Sequence, residues 1–341
     1  GGAAARPFID LREESVFAHQ SYFSVPAPVH LSAEAPADLR ELIGRLVQVG
    51  PAERPDAAAA AASPAFHARE VAVLRGLDRL PHQDEGTQAA FLSSLMEALP
   101  MFPARIHRGT VLPAALAAGR RSPRLWGYAL PVVFQVAKQL PAAEFRRAAA
   151  PGLRVPLAAE QMTPAALYQL AHHLREMLEL GGQEFFAEAC APFALRALAS
   201  EAAPQAQEEA ARQLGWPALV KAVPGDQRDG PLMTALCRLA AKGKTTSLRC
   251  AALVALAKTF KLYAPATLAE RLYPTLRFCT GEEPPAPPAV LMCALGALDA
   301  AAQEADAAGL ARFVLPSACP LLAAPGLDAR QRGMVVARVR D

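Results

Sequence analysis

What the 341-residue chain lacks narrows it first. No run of 18 apolar residues is free of charge and proline, so no membrane-spanning helix is expected. Aromatic residues make up only 6%, too few for the packed faces of a sheet protein. Net charge is nearly absent: 35 basic against 32 acidic residues leave +3, which argues for neither nucleic acid nor a membrane surface. The opening, Gly1 to Ala5 followed by Arg6-Pro7, has neither the basic nor the apolar region of a signal peptide. Cysteines number six (Cys190, Cys237, Cys250, Cys279, Cys293, Cys319), with no C-x-x-C pair among them. Most are embedded in apolar helical text, so they read as buried free thiols in a reducing, cytosolic compartment rather than a disulfide or metal framework.

Hydrophobic residues reach 52%, enough for a substantial core, and prolines number 31. Alanine and leucine dominate between the prolines, which fits helices whose starts and turns the prolines mark. Thr163-Pro164 offers an N-cap and a first-position proline ahead of an apolar stripe from Leu167 to Leu178, stopped by Gly181-Gly182. Asp84 opens a second striped helix ending before Pro100, and Ser247 a third with Leu248, Ala252, Leu256 and Phe260 on one face. Helices apolar on one side are unstable alone and must pack on neighbours.

A repeat organises them. Pro113, Pro151, Pro192, Pro231, Pro274 and Pro316 each lie in a short apolar stretch, separated by 38, 41, 39, 43 and 42 residues. HEAT-type helical pairs repeat every ~40–47 residues. The fold class read from this register is all-α, a HEAT/armadillo-type α-solenoid. A proline early in the first helix of each pair is expected to bend it. Second helices are expected at 124–139, 164–180, 204–214, 247–260 and 288–303, with Arg249 as a basic residue near the start of one. Residues 1–66 do not share the rhythm: "FSVPAPVHLSAEAPADL" is loop-like and leads into a short helix from Ala37 to Val49, and Ala57 to Ala62 is low-complexity text. The boundary is placed near Phe66, with 67–341 as the solenoid.

At 38–80 the order is a short helix, a loop with Arg54-Pro55, a further helix and then Ser-Pro-x-Phe. This resembles the closing helices of a protein-kinase C-lobe, and "RPFIDL" at 6–11 looks like the text after that lobe's long central helix. Kinase-tail helices running straight into "FLSSLMEALPMFPARIHRGTVLPAAL", "TTSLRCAALVALAKTF" and "PAVLMCALGAL" resemble the SCY-like pseudokinase family, in particular its clathrin-linked, coated-vesicle-associated branch. The resemblance covers roughly residues 6–341. It implies that 1–66 are the end of a kinase-like C-lobe, and that the whole serves as a non-catalytic scaffold in clathrin-dependent traffic. The setting would be the cytosolic face of trans-Golgi network, endosomes and coated vesicles, with clathrin coat or adaptor proteins as partners. Against the family pattern, the ATP-holding parts and the adaptor-binding tail are missing, so the chain is expected to be a fragment. The family's arginine at the position of Arg54 pairs in a buried site with a glutamate of the activation segment. Without that segment a buried charge would cost about 3–5 kcal/mol. Arg54 is therefore expected to be exposed or paired with a substitute acid, and the first 60 residues to be less ordered than the repeats.

Little chemistry survives inspection. A kinase needs a glycine-rich loop, a strand lysine, H-R-D and D-F-G. His107-Arg108-Gly109 is the nearest text and lacks the aspartate. Gly243-Lys244-Thr245 imitates the end of a phosphate loop, but Arg238 stands where the first glycine is required, so a polar turn is expected, with Lys242 and Lys244 as a basic patch at most. His172 and His173 point about 100° apart on a helix and cannot chelate one ion together; His172 with Glu176 reads as structural or solvent-facing. The run Glu282 to Pro288 reads as a stiff inter-helix loop, with a proline-rich ligand as the lesser reading. Trp126 and Trp216 are expected as core or interface anchors. No catalytic, cofactor-binding or metal-binding residue is assigned, no cofactor is expected, and the chain is read as no enzyme. Two alternatives stay open: the regulatory C-terminal part of an active serine/threonine kinase, which intact upstream kinase motifs would favour, and the COPI-linked Golgi branch of the same family.

Overall fold

The computed structural model describes residues 35–48 and 50–340. "RPFIDL" and most of the loop-like text before Ala37 lie outside the described residues, as does much of the segment expected to be less ordered. Every regular element among the described residues is helical, in keeping with the all-α, solenoid-type reading. They divide into two compact units, one holding the described residues up to Arg79 with Pro100–Phe102, the other Leu80–Leu99 and everything from Pro103 onward.

The first unit contains the helices Ala37–Leu46, Ala57–Ala61 and Arg69–Arg79 and the short turns Pro51–Glu53 and Pro64–Phe66. The alanine tract is a single helical turn, started by Asp56, whose carboxylate accepts from Ala59 N at 2.6 Å. Leu42 and Leu77 are its buried leucines, and Arg75 lies over the Phe66 ring. Arg54 is exposed and donates from Nε to Gln48 O at 2.7 Å, so no buried lone charge arises. The division after Arg79 places the helix Arg69–Arg79 with the preceding turns, whereas periodicity had suggested a boundary near Phe66.

The second unit is a succession of helical pairs. Its second helices, Glu85–Ala98, Trp126–Ala137, Pro164–His172, Pro204–Gln213, Thr246–Thr259 and Pro288–Ala302, pack each on the next. Their starts are capped as the sequence indicates: Asp84 accepts from Thr87 N at 3.0 Å and Thr163 from Ala166 N at 3.3 Å. For the helix read as opening at Ser247, Thr245 is the cap instead, accepting from Leu248 N at 3.1 Å. Trp126–Ala137 shows what one such helix contributes. Trp126, Leu130, Val132, Val133, Phe134 and Val136 are all buried, each worth roughly 1.5–3 kcal/mol relative to exposure. Trp126 reaches its site because residue 119 is glycine; a Cβ there would sit 2.4 Å from the indole.

The register prolines act differently from the expected bend. They lie mid-helix, not early: the helical stretch around Pro113 runs over 104–121, and those around Pro231, Pro274 and Pro316 over 225–242, 265–280 and 307–322. Pro231 lies within a π-turn, Arg228–Leu232, and four more follow one by two residues: Pro113 after His107–Val111, Pro192 after Phe186–Cys190, Pro274 after Leu268–Leu272 and Pro316 after Leu310–Val314. A proline has no amide hydrogen and its ring collides with the carbonyl four residues back. Widening one turn to the i→i+5 pattern moves that carbonyl aside while the helix continues. At Pro151 the helix is interrupted at Ala149 instead (φ −102°, ψ −47°).

The helix read as 164–180 is broken at His173 (φ −100°, ψ 16°) and resumes as Leu174–Phe185. Gly182 ends the helix there as expected, at φ 86° and ψ 175°, a conformation that favours glycine, and a further helical stretch begins directly after it.

Donors from the next element satisfy the open carbonyls at first-helix ends. Arg121 Nη1 donates to Pro81 O at 2.9 Å, Arg196 to Leu157 O, and Arg238 Nη2 to Leu198 O at 3.1 Å. Within a pair, Gln207 Nε2 donates to Leu198 O at 3.1 Å and Arg249 Nε to Ala240 O at 3.0 Å, both from the first turn of a second helix. A cation at a helix C-terminus also meets the negative end of the helix dipole. Arg249 is buried and pairs through Nη2 with Glu282 at 2.6 Å, so it ties three segments together. Replacing Arg249 by Leu strands Glu282 and removes a donor from Ala240. The expected loss is about 3 kcal/mol, read as a lower urea midpoint at unchanged slope. A shift below about 0.5 kcal/mol, the range of an ordinary surface substitution, would contradict this role.

The cysteines depart in part from the expected burial. Cys190, Cys237 and Cys279 are buried, Cys250 and Cys293 half-buried, and Cys319 exposed; no disulfide is formed among the described residues. Burial pushes the Cys190 thiol up, and the Cys237 thiol to about 11. Thiolate formation and access together govern alkylation. Under native maleimide labelling followed by mass spectrometry, Cys319 should react first and Cys190 and Cys237 last.

Candidate interaction surface

Polar contacts between successive second helices form one seam. Ser122 Oγ donates to Glu85 at 2.7 Å, Lys138 lies 3.4 Å from Glu176, His172 Nδ1 2.9 Å from Glu209, and Ser247 Oγ donates to Glu208 at 2.6 Å. A second seam joins first helices: Arg108 pairs with Glu144 at 2.7 Å, Arg154 with Glu188 at 2.8 Å, and Asp229 accepts from Ala264 N at 2.9 Å. The partners in these ion pairs lie 34 to 38 residues apart, a little less than one repeat, because each joins one helical pair to the next.

The two histidines stand at the densest point of the first seam. His173 is buried, its ring stacked on Phe134 with centroids 4.0 Å apart, and its Nδ1 lies 3.4 Å from Glu176. His172 is edge-on to His173 and bonds Glu209, which also accepts from Gln213 Nε2 at 2.9 Å and pairs with Arg212. His172 is exposed and bonded to Glu209, in keeping with the structural or solvent-facing reading, and it is His173 that lies beside Glu176. No group of three or more metal-ligating side chains is brought together among the described residues.

Burial pushes the His173 imidazole down to about 4, Lys138 and His172 acting in the same direction against Glu176. Glu209 is pushed up by burial, but Gln213, His172 and Arg212 outweigh this and hold it below its ordinary value. The sign for His173 follows from its folded value of about 4 against an ordinary 6.5: the folded state takes up its proton less readily than the unfolded state. Its contribution is thus fully present above about pH 6.5 and is lost as pH falls toward 4. The urea midpoint should fall between pH 7 and 5, and His173→Gln should flatten that slope. An equal slope in the variant would assign the acid sensitivity elsewhere.

Other sequence-level candidates resolve simply. Gly243 and Lys244 lie in the turn between Met233–Lys242 and Thr246–Thr259, and Lys244 pairs with Glu201 at 3.1 Å. Residues 282–287 form the loop before Pro288–Ala302, anchored by Glu282 on Arg249. Trp126 is a core residue, and Trp216 is half-buried under the Arg175 guanidinium at 4.4 Å.

Sequence reasoning missed a feature on the first helices of the last two pairs. Tyr273 and Phe313 stack face to face, centroids 4.6 Å apart and planes within 7°. On one side lies a recess of about 550 Å³ bordered by Phe260, Tyr263, Asp306 and the Lys261–Glu304 ion pair at 2.6 Å. On the other lies one of about 370 Å³ bordered by Pro274, Arg277, Arg312 and Pro316. The available signal was an aromatic residue just ahead of the register proline, at Tyr273 before Pro274 and Phe313 before Pro316.

Among solved structures, the crystal structure of Cex1p shares this fold, with TM-score 0.65 at 11% sequence identity. The match covers 92% of this chain, which spans 60% of that one. At such identity the likeness establishes the fold alone. Neither a protein-family model nor a curated protein matches the sequence. No helix among the described residues is long and apolar enough to cross a membrane.

Proposed function

We propose that the chain is a non-catalytic protein-interaction scaffold of the SCY-like pseudokinase type, acting in clathrin-dependent vesicle traffic at the cytosolic face of Golgi, endosomes or coated vesicles. The observation that carries the scaffold part is how the second unit uses its polar groups. The ion pairs and buried donors described above join one helical pair to the next, as in proteins whose stacked repeats present extended surfaces to partners. The traffic assignment rests on the succession of kinase-tail text and helical repeats in the sequence. In this reading the residues up to 66 are the end of a kinase-like C-lobe.

The test is retention of the purified full chain on immobilised clathrin adaptor, beside immobilised COPI coat. Retention on the adaptor is expected. Retention on COPI coat alone moves the protein to the Golgi-linked branch, and retention on neither removes the traffic assignment.

A further inference from the structure

The recess between the first helices of the last two pairs is lined by two arginines, Arg277 and Arg312. Several arginines of the second unit meet carboxylates or helix-end carbonyls in neighbouring repeats, as Arg108, Arg154, Arg196 and Arg238 do. Arg277 and Arg312 are exposed and meet no carboxylate among the described residues; Arg312 lies over the Phe313 ring, 5.1 Å from its centroid. Between them are the stacked rings of Tyr273 and Phe313 and the prolines Pro274 and Pro316, which form an apolar floor. Two guanidinium groups over a floor of aromatic and proline rings are complementary to a carboxylate beside an apolar side chain.

We propose that this recess binds a short acidic peptide segment of a partner protein. One aromatic or aliphatic side chain enters the space of about 370 Å³ against Tyr273 and Phe313, and flanking carboxylates pair with Arg277 and Arg312. The recess is concave and lies between two helices, a shape that admits a side chain and not a flat bilayer surface. Across the Tyr273–Phe313 stack the charge changes character: Glu304 and Asp306 border the other recess, with Lys261 engaged by Glu304. A peptide with acidic residues on both flanks is therefore held on the arginine side. The proposal stands whether or not the partner belongs to a vesicle coat.

The experiment is fluorescence polarisation of the full chain with a labelled peptide in which one phenylalanine is flanked by aspartates. Two control peptides replace the phenylalanine by alanine or the aspartates by asparagines. Binding of the acidic peptide is expected, weakened at least tenfold in each control and in the double variant Arg277→Glu/Arg312→Glu. Both arginines are exposed, so the double variant should keep its circular dichroism spectrum and urea midpoint. Binding should also fall as salt is raised. No binding up to about 1 mM, a free energy weaker than ~4 kcal/mol, would overturn the proposal. So would equal binding of the asparagine peptide or undiminished binding by the double variant. If the wild type fails to bind the peptide but binds phosphatidylserine vesicles through these arginines, the recess serves a membrane and the peptide assignment is wrong.

Discussion

A proline ring in the middle of a helix removes one amide hydrogen and crowds the carbonyl a turn behind it, and the second unit accommodates this at five of its six register prolines, Pro151 standing instead at the start of a helix. Where the chain widens a turn to the π pattern, at His107–Val111, Phe186–Cys190, Arg228–Leu232, Leu268–Leu272 and Leu310–Val314, the helix continues with its face shifted by one residue. The stretch after each turn then lies against the preceding first helix. It can bring Arg196 to Leu157 O and Arg238 to Leu198 O, carbonyls that end the helix before. Backbone accommodation and inter-repeat bonding thus share one register. A repeat whose proline drifted would misplace both.

Electrostatics follow the same geometry. Partners such as Lys138 and Glu176, or His172 and Glu209, lie one repeat apart in sequence and side by side in space. Each such pair adds little by itself where it is exposed. Their worth lies in the buried members. His173 against Phe134 and Arg249 between Ala240 and Glu282 are polar groups enclosed in apolar surroundings, so losing one partner exposes the other to the full cost of desolvation. At the recess of Arg277 and Arg312 neither guanidinium meets a carboxylate among the described residues, which leaves both to a ligand that enters it.

The likeness to Cex1p and the helical pairing agree on architecture and leave biochemical identity to experiment. Fold and function separate readily in helical repeat proteins, since the stacking residues recur from repeat to repeat while the binding residues need not. That division shows here in the contrast between Arg238, which donates to Leu198 O, and Arg277, which meets no carboxylate among the described residues and lines a recess.

Much of the fold was legible in the linear text because its signals are local or periodic. The prolines near every forty residues, the Asp84 and Thr163 caps and the stripes around Leu92 and Leu170 each depend on a few neighbouring residues, and the structure realises them as helical pairs. What periodicity could not decide was anything set by a side chain from another repeat. The ring stacked on His173, that of Phe134, comes from another repeat, and the imidazole bonded to Glu209, that of His172, lies 37 residues away. Cys319 sits in text as apolar as that around Cys190, yet it is exposed where Cys190 is buried, because only the stacking of helices decides which face is covered. The Tyr273–Phe313 recess belongs to the same class: its two walls come from different repeats, so it exists only once they are packed together.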